Sequence, residues 1–224
     1  MNNAKIIAVT QPTIESEHNS FPMEVDQFIA YVARVSNPSN QNNTLTASKL
    51  LKYLAKHKHW SPFEMVNVVM EIETTRDIAR QILRHRSFSF QEFSQRYADP
   101  TKDLGFERRD ARLQDQKNRQ NSIESYDKEL QDWWNTAQLH MTNQAQIIYS
   151  EAIEKGIAKE QARAVLPEGL TVSRMYMNGT LRSWIHYCQL RMGPETQKEH
   201  REIATDAWYQ ITEKFPSLKD ALDI

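Results

Sequence analysis

The chain has 224 residues, enough to bury a core of its own, with 28 basic against 29 acidic side chains and a single cysteine, Cys188. That near balance excludes a general nucleic-acid binder, which would carry a positive excess across the domain, and no apolar run approaches the ~20 residues of a membrane span. One cysteine rules out an internal disulfide framework and fits a reducing, cytoplasmic setting.

Residues 1–5 show no signal-peptide pattern, and residues 6–9, an apolar run closed by Pro12, read as a strand. Phe28, Ile29, Tyr31, Val32 and Val35 predict a helix that stops before Asn37-Pro38. Thr46 is placed to cap a second helix, with Leu50, Leu51 and Leu54 on its buried face. Residues 66–74 are β-branched and partly alternating, which predicts a strand. A helix over 76–86 follows, with Ile78, Ile82 and Leu83 turned inward.

Residues 99–121 are polar and charged with few large apolar side chains, and read as a long loop. Ser122 is then the expected cap of a long amphipathic helix to 154, with Trp133, Trp134, Leu139, Ile147 and Ile148 as buried candidates. A short helix over 159–166, a strand over 171–177, and helices over 181–192 and 194–214, parted by Gly193-Pro194, complete the chain. Strands among many helices without regular βαβ alternation predict one α+β domain, residues 1–224, with a mixed or antiparallel central sheet flanked by helices.

Residues 84–96 concentrate charge: three arginines, a histidine, two well-placed serines and one glutamate. Guanidinium groups stay charged and present forked donors that match phosphate and carboxylate oxygens, so this stretch predicts a site for a phosphorylated ligand. Just upstream, Arg76, Arg80 and Arg84 recur at a spacing of four and share a helical face, and Gln81 adds an amide to that rim. His57 and His59, with Glu64 nearby, do not make a metal site, because a spacing of two places them about 200 degrees apart on a helix. Cys188 falls with Leu181, Ile185 and Met192 on one apolar stripe, where burial raises a thiol's pKa, so it is structural rather than nucleophilic.

The pattern Arg84-His85-Arg86-x-x-Ser89-x-x-Glu92-x-Ser94-x-Arg96 resembles the signature of flavin-dependent thymidylate synthases at every fixed position. Supporting segments are Ala33-Arg34-Val35-Ser36, His57-x-His59-x-Ser61-Pro62-Phe63-Glu64, Ala79-Arg80-Gln81, Ala162-Arg163-x-Val165-Leu166-Pro167 and Leu181-Arg182-Ser183-Trp184-x-His186. The resemblance implies a homotetramer with active sites shared between subunits. It also implies FAD as cofactor, deoxyuridine monophosphate (dUMP) as substrate, methylenetetrahydrofolate as one-carbon donor and NADPH as reductant.

For dUMP the resemblance implies Gln81, Arg84, Glu92, Ser94, Gln95, Arg96, Arg163 and Arg191. For FAD it implies Ser61, His59, Arg84, His85, Arg86, Glu92, Arg182 and His186. Arg191 would be catalytic, a fixed cation that favours ionisation of the uracil imide. Many relatives carry histidine where this chain has Glu195, a departure that bears on the folate side of the site. Two other readings stand beside this one: a different pyrimidine-nucleotide flavoenzyme, and a non-catalytic nucleotide- or RNA-binding module built on the arginine loop.

Overall fold

The computed structural model describes residues 2–16, 19–219 and 221–222. In chain order these form β1 (Asn3–Val9), β2 (Glu15–Ser16), β3 (Asn19–Pro22), α1 (Val25–Ala33), α2 (Ala47–Lys56), β4 (Asn67–Thr75), α3 (Arg76–Ile82) and β5 (Ser89–Glu92). There follow α4 (Pro100–Asp103), β6 (Arg112–Gln114), β7 (Ser122–Glu124), α5 (Lys128–Glu154), α6 (Lys159–Ala162), β8 (Val172–Thr180), α7 (Leu181–Arg191), α8 (Lys198–Lys214) and α9 (Pro216–Lys219).

Side-chain alternation builds the sheet. β4 buries Val68, Met70, Ile72 and Thr74, and β8 buries Ser173, Met175, Met177 and Gly179 on the same face. Their antiparallel register sets Met70 against Met177 and Ile72 against Met175, so the buried rows meet directly across the ladder. The four strands run β1-β4-β8-β5, every neighbouring pair antiparallel, in a single α+β domain. α7 and α8 lie over the buried face with Trp184, Ile185, Ile203 and Ile211 fully buried, and the Trp184 indole donates to the Val68 carbonyl at 3.0 Å. Among the described residues no helix is long and apolar enough to cross a membrane.

Several expectations need correction. The helix expected to reach 86 ends at Ile82, and Ser89–Glu92, read as loop, adds an edge strand beside β8. Thr46 precedes α2 but makes no side-chain cap; its hydroxyl instead accepts from Arg34 Nη2 at 2.7 Å. The helix expected from Pro194 starts at Lys198.

The largest correction concerns residues 99–121. This segment is tied down over much of its length: it contains α4 and β6, and β6 pairs with β7. Two glutamines of α5, seven positions apart and therefore on one face, fix its extended middle. The Gln138 amide accepts from Arg109 N–H at 2.9 Å and donates to the Arg109 carbonyl at 2.8 Å. Gln131 does the same for Ala111 at 2.8 and 2.9 Å. Polar side chains satisfy this backbone where apolar burial does not, which hydrophobic patterning cannot register.

Ser122 therefore lies in β7, and Asp127 caps α5 by accepting from Leu130 N–H at 3.1 Å. The apolar candidates on α5 are open: Trp133 is 61%, Ile147 53%, Ile148 40%, Leu139 39% and Trp134 37% exposed. The helix turns Gln138, Thr142, Ala145 and Tyr149 to its own chain and leaves its apolar face uncovered.

Candidate active site

Phe88 anchors the arginine segment. It is 9% exposed, packs edge-on to Trp184 at a ring distance of 4.9 Å, and lies over Gly179, where an added Cβ would sit 2.3 Å from the ring. The chain turns just after α3, with the His85 N–H bonding the Ile82 carbonyl at 3.0 Å. Burying the phenyl ring thus leaves Arg84 and Arg86 exposed on its flank, and no acid among the described residues pairs with either.

The first group of predicted residues gathers where this turn meets α7 and α8. Arg191 Nε–H donates to His85 Nε2 at 2.9 Å. The imidazole can accept there only when neutral. Burial first, then the charges of Arg191 and Arg84, push its pKa down to about 4. No acceptor among the described residues engages the terminal nitrogens of Arg191. Behind the pair, the Tyr187 ring lies 4.9 Å from His85, and its hydroxyl is 3.0 Å from Nε2 of the fully buried His200. His200 Nδ1 faces Gln81 Oε1 at 3.4 Å, and Gln81 Nε2 donates to Gln197 Oε1 at 2.8 Å. Gln197 in turn donates to Glu199 at 2.9 Å, and Arg112 holds that carboxylate at 2.6 Å. Burial alone would raise the Glu199 carboxyl, yet the Arg112 hydrogen bond, the Arg109 charge and the Gln197 amide keep it below its ordinary value.

A second group surrounds a cavity of about 300 Å³ lined by Arg76, Arg80, Gln95, Arg163, Leu166 and Glu168. Gln95 is 5% exposed and its Nε2 has no partner among the described residues, an orphaned buried donor that a bound acceptor would satisfy. Glu92 instead pairs with Arg76 at 3.3 Å and accepts from Ser173 at 2.7 Å. Arg80 pairs with Glu168, Arg96 with Glu160 at 3.3 Å, and Ser94 accepts weakly from the Arg96 N–H at 3.4 Å. Among the described residues no side-chain bond joins Gln95, Arg96 or Arg163 to Gln81, His85 or Arg191. One chain thus divides the predicted nucleotide residues into two sets.

The remaining flavin candidates form a third group. Arg182 is ion-paired with Glu64, and the His186 ring stands edge-on to Trp60 at 5.0 Å. Burial, then Arg182, lowers the His186 pKa. Ser61, at the head of the 3-10 turn Ser61–Met65, and His59 are exposed. Cys188 is fully buried, and burial pushes its thiol pKa up, which suppresses the thiolate.

Sequence reasoning overlooked Tyr187, Gln197, Glu199 and His200. A signal for His200 exists: it lies three and four residues before the buried Ile203 and Ala204, on the stripe continued by Ala207 and Ile211. A histidine on an apolar stripe needs polar partners.

Comparison with known proteins settles the family. A family model described as "Thymidylate synthase complementing protein" matches residues 20–217. Over 221 residues, covering 99% of both chains, the sequence is 48% identical to the "Probable flavin-dependent thymidylate synthase" of Paramecium bursaria Chlorella virus 1. The chain belongs to the family of flavin-dependent thymidylate synthases. The counterpart from Synechocystis sp. is likewise 48% identical, with 99% of both chains covered. The chain is accordingly an enzyme, a methyltransferase of this family. Among solved structures it is similar to a UMP/dUMP methylase from Streptomyces cacaoi, with a TM-score of 0.78 covering 99% of this chain and 94% of that one. At 22% identity that likeness is one of fold.

Proposed function

We propose that the enzyme methylates dUMP to thymidylate, taking the carbon from methylenetetrahydrofolate and using FAD reduced by NADPH. The observation that carries this is the Arg191–His85 pair: a guanidinium anchored by one edge to a neutral imidazole at 2.9 Å, its terminal nitrogens engaged by no acceptor among the described residues. Such a preorganised cation, set against the uracil ring, stabilises the imide anion that makes carbon five nucleophilic. The buried Cys188 leaves no thiol to add to the ring, so this activation rests on charge. In support, the Streptomyces protein of like fold is described as bound with 5-Br dUMP.

The side chains present fit both the nucleotide and the flavin. Gln95 carries an orphaned buried nitrogen beside Arg163, while Arg84 and Arg86 have no acid partner among the described residues, so donors for phosphate and carbonyl oxygens stand ready. Gln81, Arg84, Glu92, Ser94, Gln95, Arg96, Arg163 and Arg191 would hold dUMP. Ser61, His59, Arg84, His85, Arg86, Glu92, Arg182 and His186 would hold FAD. When bound, the flavin supplies the hydride that completes the methyl group. Arg182 and Glu92 would change partners on binding, because Glu64 and Arg76 now occupy them.

A homotetramer with shared active sites accounts for the division of nucleotide residues into two sets within one chain, and for the uncovered apolar face of α5. A reducing cytoplasm suits the free buried thiol. The test is tritium release from carbon-five-labelled dUMP by the yellow, flavin-loaded protein with folate and NADPH present. Release that needs all three partners is the expected result; protein that cannot be loaded with FAD, or loaded protein that releases nothing, refutes the proposal.

A further inference from the structure

A single carboxylate sets the direction of the whole polar chain behind Arg191. Glu199, held by Arg112 at 2.6 Å and kept ionised, can only accept. Gln197, 2.9 Å away, must therefore turn its NH₂ toward Glu199 and its carbonyl toward Gln81. Gln81 must then give an N–H to Gln197 at 2.8 Å and aim its own carbonyl at His200. His200 meets that carbonyl with Nδ1 at 3.4 Å, so the proton sits on Nδ1 and Nε2 is left to accept from the Tyr187 hydroxyl at 3.0 Å. Reversing any member sets two acceptors or two donors face to face in a region where His200 and Tyr187 are buried.

We infer that Glu199, His200 and Tyr187 are positioning residues that lock the Gln81 amide in one orientation, so that Gln81 meets its ligand solely as an N–H donor. Its carbonyl is spent on His200 and one N–H on Gln197; the second N–H has no acceptor among the described residues. The matching ligand chemistry is an oxygen acceptor, either a carbonyl of the pyrimidine or a phosphate oxygen. The inference rests on the nucleotide reading above. The low pKa of His200, about 3 through burial first and then Arg191 and His85, accords with the neutral ring the geometry requires.

Two measurements test it. In ¹⁵N-histidine NMR of the wild-type protein, His200 should show the neutral tautomer protonated on Nδ1; the Nε2–H tautomer or an imidazolium at neutral pH would overturn the inference without any substitution. Titration with dUMP and with deoxyuridine then compares two variants. His200→Leu removes the donor and should bind dUMP about tenfold more weakly. His200→Asn, whose amide nitrogen falls at the place of Nδ1, should stay within about threefold of wild type. Weakening confined to dUMP assigns the Gln81 contact to the phosphate, and weakening of both ligands assigns it to the ring. Unchanged dUMP affinity in a folded His200→Leu protein overturns the inference. Wild-type protein that binds no dUMP sinks the nucleotide reading instead, and the tautomer result still judges the polar chain by itself.

Discussion

Arg191 combines an anchor with freedom: one edge of the guanidinium is fixed to His85 and the rest is available to a ligand. Replacing Arg191 by Ala should lower kcat/KM about a hundredfold or more, the scale for losing a preorganised charge-stabilising donor, while the melting temperature stays close to wild type. A folded Arg191→Ala variant with normal turnover would remove the residue from catalysis. Cys188→Ala makes the complementary case. It should keep its activity, because a fully buried thiol with a raised pKa cannot serve as the nucleophile; an inactive but folded variant would reinstate thiol chemistry.

The histidines also make a pH prediction. Folding lowers His85 from 6.5 to about 4 and His200 from 6.5 to about 3. Across these intervals the unfolded chain binds more protons than the folded one. Stability from these groups is therefore complete above 6.5 and drains away as the pH falls toward those values. Denaturation midpoints should fall more steeply on acidification for wild type than for His85→Asn; equal slopes would show that His85 is not held neutral.

Among the elements, β5 and α5 matter most for the site. Gly179 makes room for Phe88, and Phe88 fastens the arginine segment to the core. Gly179→Ala should destabilise the fold by about 1–3 kcal/mol through overpacking and weaken nucleotide binding by shifting β5. A stable variant with unaltered binding would show that the ring can move aside. The exposed tryptophans of α5 permit a test of assembly: Trp133→Glu with Trp134→Glu should convert the proposed tetramer to smaller species in sedimentation, whereas an unchanged mass would place the interface elsewhere.

Helices α7 and α5 and strand β5 show what a sequence reveals and what it withholds. The spacing of Leu181, Ile185 and Cys188 on α7, continued by Met192, announced a buried helical stripe; the first three are fully buried and Met192 is partly buried against the core. On α5 the apolar residues were equally visible, yet a pattern cannot say whether its partner is the same chain. β5 is four residues inside a highly charged motif, too short and too polar for its pairing with β8 to be read in advance.

At the scale of the whole molecule, the single α+β domain followed from patterning, which left the sheet mixed or antiparallel, and the family from one motif whose seven specified polar positions all match. The grouping of those residues did not follow. Residues of one short segment, His85 and Gln95, serve different clusters, because β5 lies between them along the chain. Polar contacts such as Gln138 on Arg109 and His200 on Tyr187 were hidden as well: each joins two different elements, and no local pattern announces such a pairing. The central claim is that this arrangement methylates a pyrimidine nucleotide by flavin-borne reduction without a cysteine. Mass analysis of the product from dUMP, methylenetetrahydrofolate and NADPH with FAD-loaded Cys188→Ala protein tests it most directly. The account predicts a nucleotide heavier by one methylene unit, formed only when FAD is present; unmodified dUMP, or methylation that proceeds without flavin, would contradict it.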